Sequence, residues 1–140
     1  MTLHLSKVAV GCRTVAALTK RQAARVEDYE GRPAVVCWTR YMPTKAPDLV
    51  GGSLYWIVKQ TLAARQTILA FDMKATPRGQ RCRIWLDPEV VPLVAQPMRG
   101  HQGWRYLQTD AVPPDLAGAG EDLAALPLNM MRDLGRLGLL

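Results

Sequence analysis

Cysteine is sparse in this 140-residue chain. Cys12, Cys37 and Cys82 are odd in number, lack C-x-x-C spacing and sit in apolar segments. That argues against a disulfide framework or a zinc site and for packing as small hydrophobes. Long apolar runs are missing as well: no window approaches the roughly 18 residues of a membrane span. The start, MTLHLSKVAV, has neither the charged opening nor the apolar core of a signal peptide, so no membrane association is expected and the cytoplasm is the expected compartment. There is no G-x-S-x-G elbow, no metal-ligand spacing and no cofactor fingerprint; no cofactor or metal is expected, and no reaction is named.

Acidic residues are also scarce, twelve against eighteen Lys and Arg, for a formal charge of +6. The excess is concentrated. Eleven of the cations fall between Arg32 and Arg105, opposed there only by Asp48, Asp72, Asp87 and Glu89, and all four tryptophans lie in the same stretch. Arginine outnumbers lysine thirteen to five, which suits bidentate and stacked contacts, although a genome rich in G and C produces the same bias. Basic residues interleaved with large aromatics describe a surface for an anionic, planar partner, with nucleic acid the commonest. They equally describe arginine stems laid over an aromatic core.

Periodicity gives the elements. Leu3–Val10 reads as a strand, and Thr14 as the cap of a helix running to about Asp28 on the outside of a sheet. Ala34–Tyr41 is a second strand, followed by a proline loop with one helical turn at Asp48 and Leu49. Ser53–Lys59 alternates, with Leu54, Trp56 and Val58 on one face. Leu62–Phe71 has helical propensity but no cap or stop, and is read as a strand with Leu62, Gln66 and Ile68 inward. Thr76–Gln80 is a turn. Arg81–Asp87 alternates most cleanly, with Cys82, Ile84 and Leu86 facing in. Pro88, Pro92 and Pro97 predict an irregular path, Gly103–Leu107 a short strand, and Leu123, Leu126, Met130, Leu134 and Leu137 a terminal amphipathic helix over 120–140. The expected architecture is a single α+β domain over residues 1–140: about six short, mostly antiparallel strands in a twisted sheet or pseudo-barrel, with one helix at each end.

The segments GGSLYWIVK, RQTIL, LDPE and QGWRYL resemble a family of small, mainly alphaproteobacterial proteins: the domain-of-unknown-function family fourteen eighty-nine. The resemblance runs from MTLHLSKVAVG to the leucine-rich tail and implies no established activity. Some members carry a lysophospholipase label, which this sequence does not support, because Gly51-Gly52-Ser53 precedes a strand instead of forming a nucleophile elbow. A weaker, fold-level resemblance to PUA-like domains of the ASCH and EVE kind implies a pseudo-barrel that holds RNA or a base in a cleft.

Four constellations stand out. Arg81, Arg83 and Trp85 share a strand face and offer phosphate contacts beside an indole; otherwise they form a solvated outer face. Lys59, Arg65 and Gln66 lie on adjacent strands and either grip a ligand or make cross-strand pairs, with an inward Gln66 requiring a hydrogen-bond partner. Arg99, His101, Gln102, Trp104 and Arg105 occupy a loop rich in Gly and Pro. Asp87 and Glu89 flank Pro88 and, with His101, are the candidates for acid–base chemistry; otherwise Asp87 ends a turn and pairs with an arginine. The leading expectation is an RNA- or nucleotide-binding module. The alternatives are a small enzyme acting on a phosphorylated or nucleotide substrate, and an adaptor for an acidic protein.

Overall fold

In the computed structural model, the described residues are 3–116. The expected terminal helix over 120–140 lies outside them. The architecture is mostly β: eight strands in one mixed sheet and two helices. The strands are β1 (Leu3–Val8), β2 (Glu27–Tyr29), β3 (Arg32–Thr39), β4 (Ser53–Ile57), β5 (Thr61–Thr76), β6 (Gly79–Leu86), β7 (Val91–Pro97) and β8 (Trp104–Gln108). The helices are α1 (Val15–Ala23) and α2 (Ala46–Leu49).

The first helix starts where its cap dictates, with the Thr14 hydroxyl accepting the Ala17 amide at 3.0 Å. It stops five residues short of the expected end. Glu27–Tyr29 instead form a hairpin with β3, turning through Glu30 and Gly31, both at positive φ. Only Leu18 and Gln22 of α1 are buried, but they reach the centre of the molecule: Leu18 joins the main core with residues of β1, β3, β4, β5 and β6.

The sheet order is β2-β3-β6-β5-β4-β1-β8. The pairings are mostly antiparallel, as expected; the parallel pair is β1 with β4, Leu5 beside Leu54. The organising element is β5, 16 residues long. One of its edges carries β4; the other carries β6 and then β7, with Asp87–Val90 as the step between them. The amide of Asp87 bonds Thr67 at that step, at 2.8 Å. The irregular path expected from Pro88, Pro92 and Pro97 is therefore a strand, with only Pro88 in the step. Pro92 and Pro97 are accommodated in β7, opposite Ala64 and Thr61, on either side of the point where the register with β5 slips.

Alternation holds where it was clearest. Leu62, Ala64, Gln66 and Ile68 on β5, and Cys82, Ile84 and Leu86 on β6, are all buried, as is Trp56 on β4. Gly52 lies where backbones nearly touch: a Cβ there would fall 2.2 Å from the Leu3 carbonyl oxygen. A second cluster, built on Tyr55, Ile57, Leu62, Leu93 and Leu107, is separate from the main core.

β3 and β1 are separated by β6, β5 and β4, yet they line one concavity. Trp104 Nε1 on β8 donates to the Tyr41 carbonyl just beyond β3, at 3.0 Å. The sheet therefore curls until its two flanks approach. No helix among the described residues is long and apolar enough to cross a membrane.

Candidate functional site

β2 pairs only with Arg32–Ala34, so among the described residues Val36–Thr39 of β3 have a strand partner on one side alone, β6. Trp38 lies on this half-open stretch, 48 % exposed, and Tyr41 follows at 64 %. A tryptophan so exposed on a strand is unusual, because its large apolar surface is normally buried. Trp38 lines four adjoining concavities. The largest, about 590 Å³, includes Lys7, Arg40, Tyr41, Gln102 and Trp104. Beside it, about 380 Å³ is bounded by Arg40, Thr76, Arg78 and Arg81. Towards α1, about 230 Å³ is bounded by Lys7, Arg21, Arg25 and Cys37. A fourth adds Arg25 and Glu27.

The charge here is one-sided. Lys7, Arg21, Arg25, Arg40, Arg78 and Arg81 line these spaces, and Glu27 is the lone acid among the described residues. None of the six cations makes an ion pair with a carboxylate of the described residues. Arg83 reaches Trp38 from the neighbouring strand, its guanidinium carbon 5.9 Å from the ring centre and 5.1 Å from that of Trp85. Its Nε and Nη2 donate to both oxygens of Asp72, at 2.6 and 2.7 Å. Burial opposes ionisation of Asp72, but the hydrogen bonds from Arg83 and Trp85 prevail and hold its carboxyl below the usual range.

The sequence-predicted residues divide. Arg81, Gln102 and Trp104 line the groove; Arg83 does not line it but lies over the Trp38 ring from the neighbouring strand. Trp85 does not offer a stacking face: it is 4 % exposed, tilted against Tyr29 at 4.6 Å between centres, with its indole N–H bonded to Asp72. What covers it is the β2 hairpin.

Arg65 is committed elsewhere, donating through Nε and Nη2 to Asp115 and through Nη1 to Ser53. Gln66 is wholly buried; its carbonyl accepts from Gln22 and Trp56, at 2.8 and 2.9 Å, and its amide donates to the Asp87 carbonyl. That closed network ties α1 to the sheet. Lys59 sits exposed in the tight β4–β5 turn, at positive φ. Arg99 and Arg105 are exposed and do not line the Trp38 groove.

The acid–base candidates are not gathered. Asp87 pairs with Arg32 at 3.2 Å and accepts the Glu89 amide, the turn geometry of an Asp-Pro step. His101 bonds Ser6 at 2.9 Å, while burial and nearby Arg105 lower its pKa. None of these three lines the groove, and the described residues contain no group of three His, Cys, Asp or Glu able to hold a metal.

Sequence reasoning missed Trp38, Tyr41, Lys7, Arg21, Arg25, Arg40 and Arg78. Trp38 and Tyr41 read as members of an apolar strand. Arg40 and Arg78 counted only towards the basic charge of 32–105, and Lys7, Arg21 and Arg25 lie outside that window and are brought in by the curl of the sheet.

No curated protein and no solved structure matches the chain, so the resemblance to PUA-like domains gains no support. One family model does match, "Protein of unknown function (DUF1489)", over residues 5–140. That match spans nearly the whole sequence, in agreement with the segments quoted above, and the chain belongs to the DUF1489 family.

Proposed function

We propose that the groove around Trp38 binds single-stranded nucleic acid, RNA in particular. One observation carries the reading: a half-exposed indole on an open strand edge, ringed by six cations without carboxylate partners among the described residues. An exposed ring stacks a base whatever its identity, and the surrounding guanidinium and ammonium groups hold the backbone. The mechanism is recognition. Arg40, Arg78 and Arg81 take phosphates on one side of Trp38, Arg25 takes one towards α1, and Lys7, which lines both the largest space and the one by α1, stands between them. Tyr41, under the Arg40 guanidinium at 5.3 Å, provides a second aromatic surface.

The test is a fluorescence titration of short single-stranded RNA at several salt concentrations. Neutralising about four phosphates gives a slope near −3 in log K against log salt, from the single-strand coefficient of roughly 0.7 per contact. Trp38→Ala should cost about 1–3 kcal/mol of binding and leave the slope intact, because a stacked base releases no counterion. Absence of salt-sensitive binding to RNA or single-stranded DNA at tens of micromolar would overturn the reading.

A further inference from the structure

We infer that the concavity between β1, β3 and α1 is a seat for a terminal phosphomonoester, the end of the strand whose base stacks on Trp38. This rests on the nucleic-acid reading and adds a polarity to it. The space, about 230 Å³, is lined by Lys7 from β1, Arg21 from α1 and Arg25 just past the end of α1, and no carboxylate of the described residues lines it. Cations at a helix C-terminus are ordinary, since the helix dipole favours them. That accounts for Arg21 and Arg25, but it does not account for Lys7 arriving from another element with no acid between them. Arg21 also keeps a buried Nε with no hydrogen-bond partner among the described residues, although its Nη1 donates to the Val10 carbonyl. A buried donor without an acceptor is costly, and a phosphate oxygen is the acceptor that this charge calls for.

Charge separates a terminal phosphate from an internal one. Gln22, Cys37 and Trp56, exposed by 2, 8 and 3 %, form the buried inner wall of the lining and add no charge to it. Three cations match the dianionic monoester better than the singly charged diester. Cys37 adds no competing anion, because burial raises its thiol pKa to about 11 even with Lys7 and Arg21 near it. Trp38 walls both this seat and the larger groove, so a phosphate here leaves its nucleoside beside the indole.

The experiment compares one labelled RNA sequence with a 5′-phosphate, a 3′-phosphate or hydroxyls at both ends. One phosphorylated form should bind at least about tenfold more tightly than the hydroxyl form, the size of a charge-assisted contact. Arg25→Gln, at an exposed position, and Lys7→Gln should each bring that ratio towards one. Adenosine 5′-monophosphate is then added as competitor. Displacement shows that a free nucleotide suffices for the seat, and no displacement assigns it to a strand end. Equal, salt-sensitive binding of all three RNAs overturns the phosphate seat and leaves the groove standing. Failure of all three to bind removes the groove, and the seat with it.

Discussion

Arg83 stacks on Trp38 while Asp72 holds both faces of its fork: the guanidinium sits 5.9 Å from the indole centre and within 2.7 Å of each carboxylate oxygen. The cation that lies over the exposed ring is thus paired with a carboxylate. It orients Trp38 and adds little to the field of the groove.

Asp72→Asn should therefore tighten RNA binding. It releases a positive charge under the stacking platform, and the salt slope should become steeper by about 0.7. The same variant should blunt the acid limb of stability. A carboxylate with a depressed pKa stabilises the fold at pH values above its unfolded pKa, and that stabilisation is lost as pH falls through the folded value. Melting curves between pH 6 and 2 on both proteins provide the check.

Arg65 and Arg81 should behave as opposites. Arg65→Ala breaks a bidentate contact to Asp115 and one to Ser53, at side chains 22 and 33 % exposed for the ion pair, and should cost about 1–3 kcal/mol of stability. RNA affinity of the folded protein should not move. Arg81→Ala should leave the melting temperature within a degree or two and flatten the salt slope by roughly 0.7. Denaturation and binding measured on each variant separate the two roles.

Gln66→Leu keeps the volume and removes the chemistry. It strands the Gln22 amide, the Trp56 indole N–H and the Asp87 carbonyl, which now share one buried side chain. The expected destabilisation is about 2–4 kcal/mol, readable as a lower denaturant midpoint with an unchanged m-value. A loss below half of one kcal/mol would mean that water replaces the network.

His4 sets a limb at mildly acid pH. Its Nδ1 accepts the Ser53 amide at 2.9 Å, so the proton is on Nε2, and burial together with Arg65 keeps its pKa below 6.5. The unfolded chain therefore takes up this proton first. Stability falls as pH drops below about 6.5, until the folded pKa is passed. His4→Asn supplies an acceptor that does not titrate and should remove this part of the decline between pH 7 and 5.

Strand alternation made the inner wall legible. On β6, Cys82, Ile84 and Leu86 could face only one way, and on β5 the buried Gln66 came with the demand for a partner, which it meets three times. The prolines of β7 concealed a strand because Pro92 and Pro97 carry no N–H, and only the pairing with β5 shows that none is needed there. Glu27–Tyr29 merged into the helix before them because three polar or aromatic residues have no period of their own. The groove was less visible for a different reason. Its cations come from β1, from α1 and the residues after it, from just beyond β3 and from the β5–β6 hairpin, and the exposure of Trp38 depends on how far β2 runs: it begins at Glu27, after α1, and pairs no further along β3 than Ala34.

The placement of β1 has a consequence for how the molecule is made. Its two partners are β4, through Leu5 beside Leu54, and β8, through Leu5 beside Tyr106. Leu3–Val8 are synthesised before either partner and find the second only when almost all the described chain has followed. Until then an apolar strand is without a complete ladder, the condition in which nascent chains depend on chaperones. Lys7 travels on that strand. A truncated or stalled product ending before β8 would carry the arginines and the indole, but not the completed basic groove.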